Sequence, residues 1–510
     1  MVKSRSQHSV HNILAGLINK ILLMFLQFFL RTIIVFTIGV DYLGLNGLFT
    51  SLLQVLNLAE LGFGSALGFS MYKPILENDK EKINALLSLY RKVYTTIGLA
   101  LLAIGLLILP FLPVIIKDDV PNNINIYLLF IIYLINTVLS YLVFAYKKSL
   151  IEAYQRYDIT TNINTFISIV KYIIQIIILL LLKNYYLYLI VMPIFTFVEN
   201  YIVAKQADLL FPTLRPEGNL NKEEINDIKL HVKGLAIQKL CSSSRNSFDS
   251  IVISMYLGLS SIAIYNNYLL ILTAVHGILY QIANSIRASV GNSIATGNLD
   301  KNFKLFMNMN FFYMWISIVC TACLMGLYQP FMELWMGEKM LCSTHTVILF
   351  CIYFFELCFS DIISVFKDGA GIWWHGRYRT VIEAFSNLIL NFILGYYMGM
   401  DGILLATIIT IGLIGHLYGG YITFNYYFKN VKHKRYLFYQ IQTSIIAAFV
   451  TYSTYMACSV VLKSGIVGLL IKGVICVCLP NILLVMIYCK TDLFQNSLDF
   501  LKNVVMQMIK

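Results

Sequence analysis

TNINTFISIVKYIIQIIILLLL at 161–182 and LYLIVMPIFTFVENYIVAKQA at 187–207, joined only by Lys183-Asn184-Tyr185-Tyr186, decide the fold. Each run has the roughly 20 residues that a helix needs to cross a hydrocarbon core. Working outward from this pair, twelve similar stretches appear near 13–38, 42–70, 92–113, 126–146, 233–255, 262–284, 306–328, 346–366, 380–398, 401–426, 438–462 and 465–488. The chain therefore reads as an all-α, polytopic membrane protein of about fourteen spans.

Charge supports the count. Of 38 basic residues, 28 fall in gaps on the side of the N-terminus and only Lys117, Lys183, Lys339 and Lys463 on the other. Positive loops stay in the cytoplasm, so both termini are expected there, as an even number of spans requires. A composition that is 58% hydrophobic and 13% charged, with a mean hydropathy of +0.73, excludes a soluble domain of this length. The net charge of +12 follows from topology, and no nucleic-acid role is inferred. No secretory cleavage pattern precedes the first span, which is expected to be retained. The ten cysteines show no paired spacing in an exported loop, and Cys320-xx-Cys323 reads as small packing residues at membrane depth.

The longest expected cytoplasmic connection, 208–232, contains the turn-forming run from Phe211 to Gly218 and separates six spans from the next six. A weak repeat crosses it. Tyr42-Leu-Gly-Leu45 recurs as Tyr256-Leu-Gly-Leu259, Pro110-Phe111 as Pro330-Phe331, and Arg156-Tyr157 as Arg377-Tyr378, always in equivalent topological positions. The expected organisation is an N-lobe at 1–207, a linker at 208–232, a C-lobe at 233–428, and a terminal helix pair with a tail at 429–510. Two parallel six-helix lobes would leave a cleft between them.

Ionisable residues inside spans cost a few kcal/mol at the bilayer centre and usually face a bundle interior or an aqueous path. Arg31, Lys171, Lys239 and Arg245 are the basic candidates; Glu60, Asp249, Glu356 and Asp361 are the acids. His276 and His416 add two imidazoles, a group whose reference pKa is near neutral. Arg245 and Asp249 are spaced to pair on one helix face. Arg31, Lys171 and Lys239 have no acid so placed in their own helices, and a lumen they line would stabilise an anion such as diphosphate. Glu60, Asp249, Glu356 and Asp361 are read as ion-coupling groups or structural counter-charges. No phosphate-binding loop and no metal constellation occurs, so neither cofactor nor metal is expected and no catalytic residues are assigned.

Arg31, the run from Tyr42 to Thr50, Leu58 through Ala66 and Tyr72-Lys-Pro74 together resemble the N-terminal signature of Wzx-type polysaccharide flippases. These belong to the multidrug/oligosaccharidyl-lipid/polysaccharide (MOP) exporter superfamily. Phe248–Ser254, Tyr265–Tyr268, Ala288–Asn292, Gln329–Phe331 and Arg377–Asn387 fit the same pattern. The resemblance implies two six-helix lobes and a terminal pair, a cationic cavity, and transfer of undecaprenyl-diphosphate-linked oligosaccharide across the bacterial cytoplasmic membrane. Arg31, Glu60, Lys239 and Asp249 fall where the family carries those residue types; Arg245 departs from it and Lys171 lies outside it. Membrane lipid and the polysaccharide polymerase machinery are the implied partners, with H⁺ or Na⁺ coupling left open. The competing readings are a cation-coupled drug antiporter, an integral-membrane glycan polymerase and a non-transporting assembly partner. A cation site calls for unpaired acids, and a polymerase for a large external loop that this sequence lacks.

Overall fold

A computed structural model describes residues 22–57, 63–117, 120–121, 123–154, 156–226, 228, 247–285, 290–291, 293–294, 298–372, 375–429, 433–461 and 465–498. The described residues are mostly helical and contain no strand. They divide into two compact units, Met1–Ala263 and Ile264–Lys510.

The first unit begins with α1 (Leu22–Thr37) and α2 (Val40–Leu56), joined at Gly39 with φ 118°. Only glycine adopts that angle without strain, and it permits the two-residue connection. The expected span at 42–70 is realised as two helices, α2 and α3 (Phe63–Glu77), on either side of residues outside the described set. α4 (Lys80–Ile108) starts at Asp79, whose carboxylate accepts the Lys82 amide at 2.9 Å, and continues to Ile115. At 36 residues it is about 54 Å long. Its first turns therefore project beyond a core of roughly 30 Å. α5 (Ile126–Leu142) and α6 (Ala145–Ala153) form one span bent by 49° at the left-handed Phe144.

α7 (Tyr157–Leu182) and α8 (Tyr185–Leu210) are the pair quoted at the outset. Lys183 ends α7 in the left-handed conformation, and the Asn184 side chain accepts the Leu187 amide at 3.1 Å to cap α8. Asn164, Ser168, Lys171 and Gln175 recur on α7 at helical spacing, while Phe166, Ile173, Ile177 and Leu180 are exposed. The helix thus carries a polar stripe and a face suited to lipid.

Residues after α8 fold back onto α4. The Arg215 amide donates to Asn84 Oδ1 at 2.9 Å, Lys92 Nζ to Asn219 Oδ1 at 3.0 Å, and Lys82 pairs with Glu224 at 2.6 Å. This part of the expected linker is a strap fixed by hydrogen bonds. α9 (Ser247–Leu257) follows, and Gly258, at φ 84°, turns the chain into α10 (Leu259–Ser285). The two copies of Tyr-Leu-Gly-Leu meet here. A Cβ on Gly44 would stand 2.3 Å from the Leu259 carbonyl oxygen, and Ser260 Oγ donates to Asp41 at 2.9 Å.

In the second unit, α11 (Leu299–Met336) is the central column, 38 residues long. It packs against α12 (Thr344–Gly369), α15 (His433–Ser459) and α16 (Gly465–Tyr488). Phe306 is fully buried, with ring centroids 5.0 Å from Phe366 and 5.0 Å from Tyr436. Each such aromatic pair is worth about 0.5–1.5 kcal/mol beyond area burial. α13 (Arg377–Ile409) reverses at Gly399, φ 58°. A Cβ on Gly402 would reach 2.0 Å from the Leu394 carbonyl, a contact that only a tight hairpin produces. Its second arm runs through a π-helical stretch, Thr410–Tyr418, into α14 (Gly419–Tyr426). α15 and α16, expected as an appended pair, are anchored to α11 by Trp315 Nε1 donating to Asn481 at 2.8 Å and by the Phe311–Tyr488 ring contact.

Among the described residues, eight helices are long and apolar enough to cross a membrane, nine with the α5–α6 pair. One of the eight, Tyr378–Tyr426, is the hairpin at Gly399 and supplies two of the expected spans. α1, α2, α3 and α9 are shorter. About fourteen crossings are consistent with this set. The chain is a multi-pass membrane protein.

Candidate functional site

Arg31 is half-buried on α1, with its guanidinium in electrostatic reach of the Tyr188 and Tyr172 phenols. Tyr172 accepts from Gln27 Nε2 at 3.3 Å, and Gln175 Nε2 donates to the Tyr188 carbonyl at 3.1 Å. The Tyr133 and Tyr185 hydroxyls lie 3.3 Å apart, and Tyr185 also donates to the Tyr42 carbonyl at 3.0 Å. The polar stripe of α7 and the tyrosines of α8 thus give the first unit a guanidinium among phenols. A planar guanidinium suits bidentate contact with phosphate or carboxylate, while phenol rings offer stacking faces and hydroxyl groups.

Lys171 holds its ammonium 5.0 Å from the Tyr172 ring centroid, within electrostatic reach of Glu199 on α8. Glu199 accepts from Asn164 Nδ2 at 3.0 Å. Lys171 therefore has an acidic neighbour, contributed by another helix. The sequence signal was available, since Glu199 lies inside the run at 187–207, but which span it faced was not legible.

Asp249 is fully buried on α9. Lys239, Arg245 and Glu60 lie outside the described residues, so the Arg245–Asp249 pairing has no structural description on the arginine side.

The second unit matches each expected acid with an expected histidine. Asp361 Oδ2 accepts from the Tyr313 hydroxyl and lies 3.0 Å from His276 Nε2. Glu356 Oε2 lies 3.1 Å from His416 Nδ1, and the amide of Gln440 reaches the opposite ring nitrogen. His416 also stacks on Phe359, with centroids 4.7 Å apart. It sits in the π-helical stretch, a distortion often found at functional sites. There Arg379 Nη1 donates to the Gly415 carbonyl at 2.7 Å and approaches Glu383 at 3.5 Å. Asn387 joins the two arms of the hairpin by donating to Thr407 at 3.1 Å and Thr410 at 3.4 Å. Asn387, Thr407 and Thr410 were not assigned to the site from sequence, because neutral polar residues in spans give no charge signal.

A cavity of about 560 Å³ lies among α11, α12, α15 and α16, lined in part by Gln329, Glu333, Tyr455 and Lys472. Among the described residues, none of the expected site residues lines it. Near it, Cys458 Sγ is 3.4 Å from Cys476 Sγ, and Cys323 Sγ is 3.4 Å from the Cys476 carbonyl oxygen. Of the CxxC motif, Cys323 thus contacts another helix, α16.

No family model matches the chain, and no curated protein matches it in sequence. Solved structures do match. Lipid II flippase MurJ, in an inward closed conformation, superposes with a TM-score of 0.71 at 16% identity, covering 93% of this chain and 99% of its own. The fold is MATE/MOP-like. A multidrug resistance MATE family transporter of the MOP superfamily, inward-facing, gives 0.62 at 14% identity over 79% of this chain and 94% of its own. A MOP superfamily transporter from Pyrococcus furiosus, described as having a binding pocket of reversed polarity, gives 0.53 at 13% identity over 81% and 94%.

Proposed function

We propose that the chain is a flippase carrying undecaprenyl-diphosphate-linked oligosaccharide repeat units from the cytoplasmic to the outer leaflet of the bacterial inner membrane by alternating access. Its product would supply surface polysaccharide synthesis. Arg31 carries this reading: a guanidinium on a membrane helix, set among tyrosines, matches a lipid diphosphate bearing sugars better than it matches a cation. Inside a membrane protein, where the effective dielectric constant is low, such a charge attracts an anion much more strongly than in water. Lys171 lies on the polar stripe of α7, with part of its charge offset by Glu199 on α8. Coverage supports the same branch, since the lipid II flippase matches 93% of this chain whereas the inward-facing MATE transporter leaves about a fifth unmatched.

Lys239 and Arg245 join this substrate path as proposals from sequence. Glu60, Asp249, Glu356 and Asp361 would be counter-charges or would couple transport to H⁺ or Na⁺. Depleting the protein from cells should leave lipid-linked repeat units in the cytoplasmic leaflet, inaccessible to an external probe. Wild-type exposure of those units after depletion would overturn the reading.

A second reading, antiport of small organic cations, is favoured by one observation: among the described residues the carboxylates of Asp361 and Glu356 meet no Lys or Arg, only a histidine each and, for Asp361, the Tyr313 hydroxyl. Efflux of a cationic dye, lost in Asp361→Asn but unaffected in Arg31→Ala, would favour it.

A further inference from the structure

We propose that His276, Cys358 and Asp361 form a binding site for a divalent transition metal ion of borderline softness, Zn²⁺ above all. The nitrogen, sulfur and oxygen donors of these side chains all lie within 4.8 Å of one another. Around a tetrahedral zinc ion with Zn–S near 2.3 Å and Zn–N near 2.0 Å, donors stand roughly 3.3–3.6 Å apart. Side-chain adjustments of about 1 Å would therefore close the site. Two of the three donors are prealigned, because Cys358 and Asp361 are spaced i and i+3 on one face of α12. The third arrives from α10, where His276 Nε2 already lies 3.0 Å from Asp361 Oδ2.

Charge and surroundings favour this occupant. Cys358 is fully buried and Asp361 is 7% exposed. A thiolate and a carboxylate neutralise a divalent ion, so the complex adds no net charge to an apolar interior, where uncompensated charge is costly. The donor set is also too soft for Mg²⁺ or Ca²⁺, which take oxygen ligands. Outer partners are in place: the Tyr313 hydroxyl donates to Asp361, and the Ser317 hydroxyl stands beside the Cys358 thiol. The fourth position would be taken by water. On binding, Cys358 gives up its thiol proton, and His276 presents Nε2 as a neutral ligand, releasing any proton held there.

The inference is independent of the transported substrate. The test uses full-length protein purified in detergent, stripped with a chelator and titrated with Co²⁺. One equivalent should produce the visible bands of tetrahedral cobalt and a thiolate-to-cobalt charge-transfer band, both bleached by Zn²⁺. Cys358→Ala should lose the charge-transfer band, and His276→Ala should lose stoichiometric binding. Cys476→Ala should behave as wild type. Tyr313→Phe should keep the band and bind about tenfold more weakly, as expected for a second-sphere partner. If Cys358→Ala does not elute as monodisperse protein, His276→Gln provides the decisive variant, again with loss expected. No charge-transfer band in the wild-type protein would overturn the proposal, and so would a band that survives Cys358→Ala or disappears in Cys476→Ala.

Discussion

Replacing Arg31 separates a substrate-binding cation from a structural one. The Arg31→Ala variant removes a half-buried guanidinium whose phenol neighbours keep other contacts: Tyr172 its hydrogen bond from Gln27, and the Tyr188 backbone its bond from Gln175. The helix should therefore insert and pack normally. A hydrogen bond to a charged group contributes about 1.5–3 kcal/mol. Because Arg31 is only half-buried, solvent screening brings each prong of a bidentate contact to about 1–1.5 kcal/mol, at or below the foot of that range. Losing the fork should cost about 2–3 kcal/mol, or roughly 30- to 150-fold in transport efficiency. Arg31→Lys keeps the charge but not the planar fork and should recover all but about tenfold. The assay is the initial rate of glycolipid translocation in vesicles containing equal amounts of each variant. An Arg31→Ala protein that transports at the wild-type rate would refute the reasoning. So would a loss matched by a fall in abundance or thermal stability, which would make the residue structural.

Three further outcomes are expected. Reporters fused after Lys117 or Lys339 should read as extracytoplasmic and one near Glu223 as cytoplasmic; the opposite result at either loop overturns the span assignment. Gly44→Val should destabilise the first unit by about 1–3 kcal/mol, seen as a lower melting temperature, because its Cβ would overlap the Leu259 carbonyl at 2.3 Å; an unchanged melting temperature would contradict that packing. If Arg245 contacts the diphosphate, the Arg245→Ala/Asp249→Ala double variant should transport no better than Arg245→Ala, whereas a purely structural pair would let the double variant recover activity.

Long apolar runs made the helices legible because a membrane interior requires each backbone to satisfy its own hydrogen bonds. The pair at 161–207 illustrates this, with the observed helices matching the quoted runs to within a few residues. Breaks were harder to see. The bend at Phe144 depends on one left-handed residue in an apolar run, and the long extension of α4 is polar enough to read as loop. For the site, charged residues in spans were visible by their cost, and two of the acids, Glu356 and Asp361, do meet the two singled-out histidines, His416 and His276. Which acid met which histidine was not visible, because side-chain pairing between helices depends on their rotation about their own axes. Tyr172, Tyr188 and Asn387 were hidden for another reason: tyrosines also populate interface belts, and asparagines in spans have many packing roles.

The most direct test of the account is translocation by the purified protein in proteoliposomes. A fluorescent undecaprenyl-diphosphate oligosaccharide would be placed in both leaflets, and its access to a membrane-impermeant quencher followed over time. Protein-dependent equilibration is expected, slowing 30- to 150-fold in Arg31→Ala at equal abundance. Equilibration no faster than in protein-free liposomes, alongside robust counterflow of a small organic cation in the same vesicles, would contradict it.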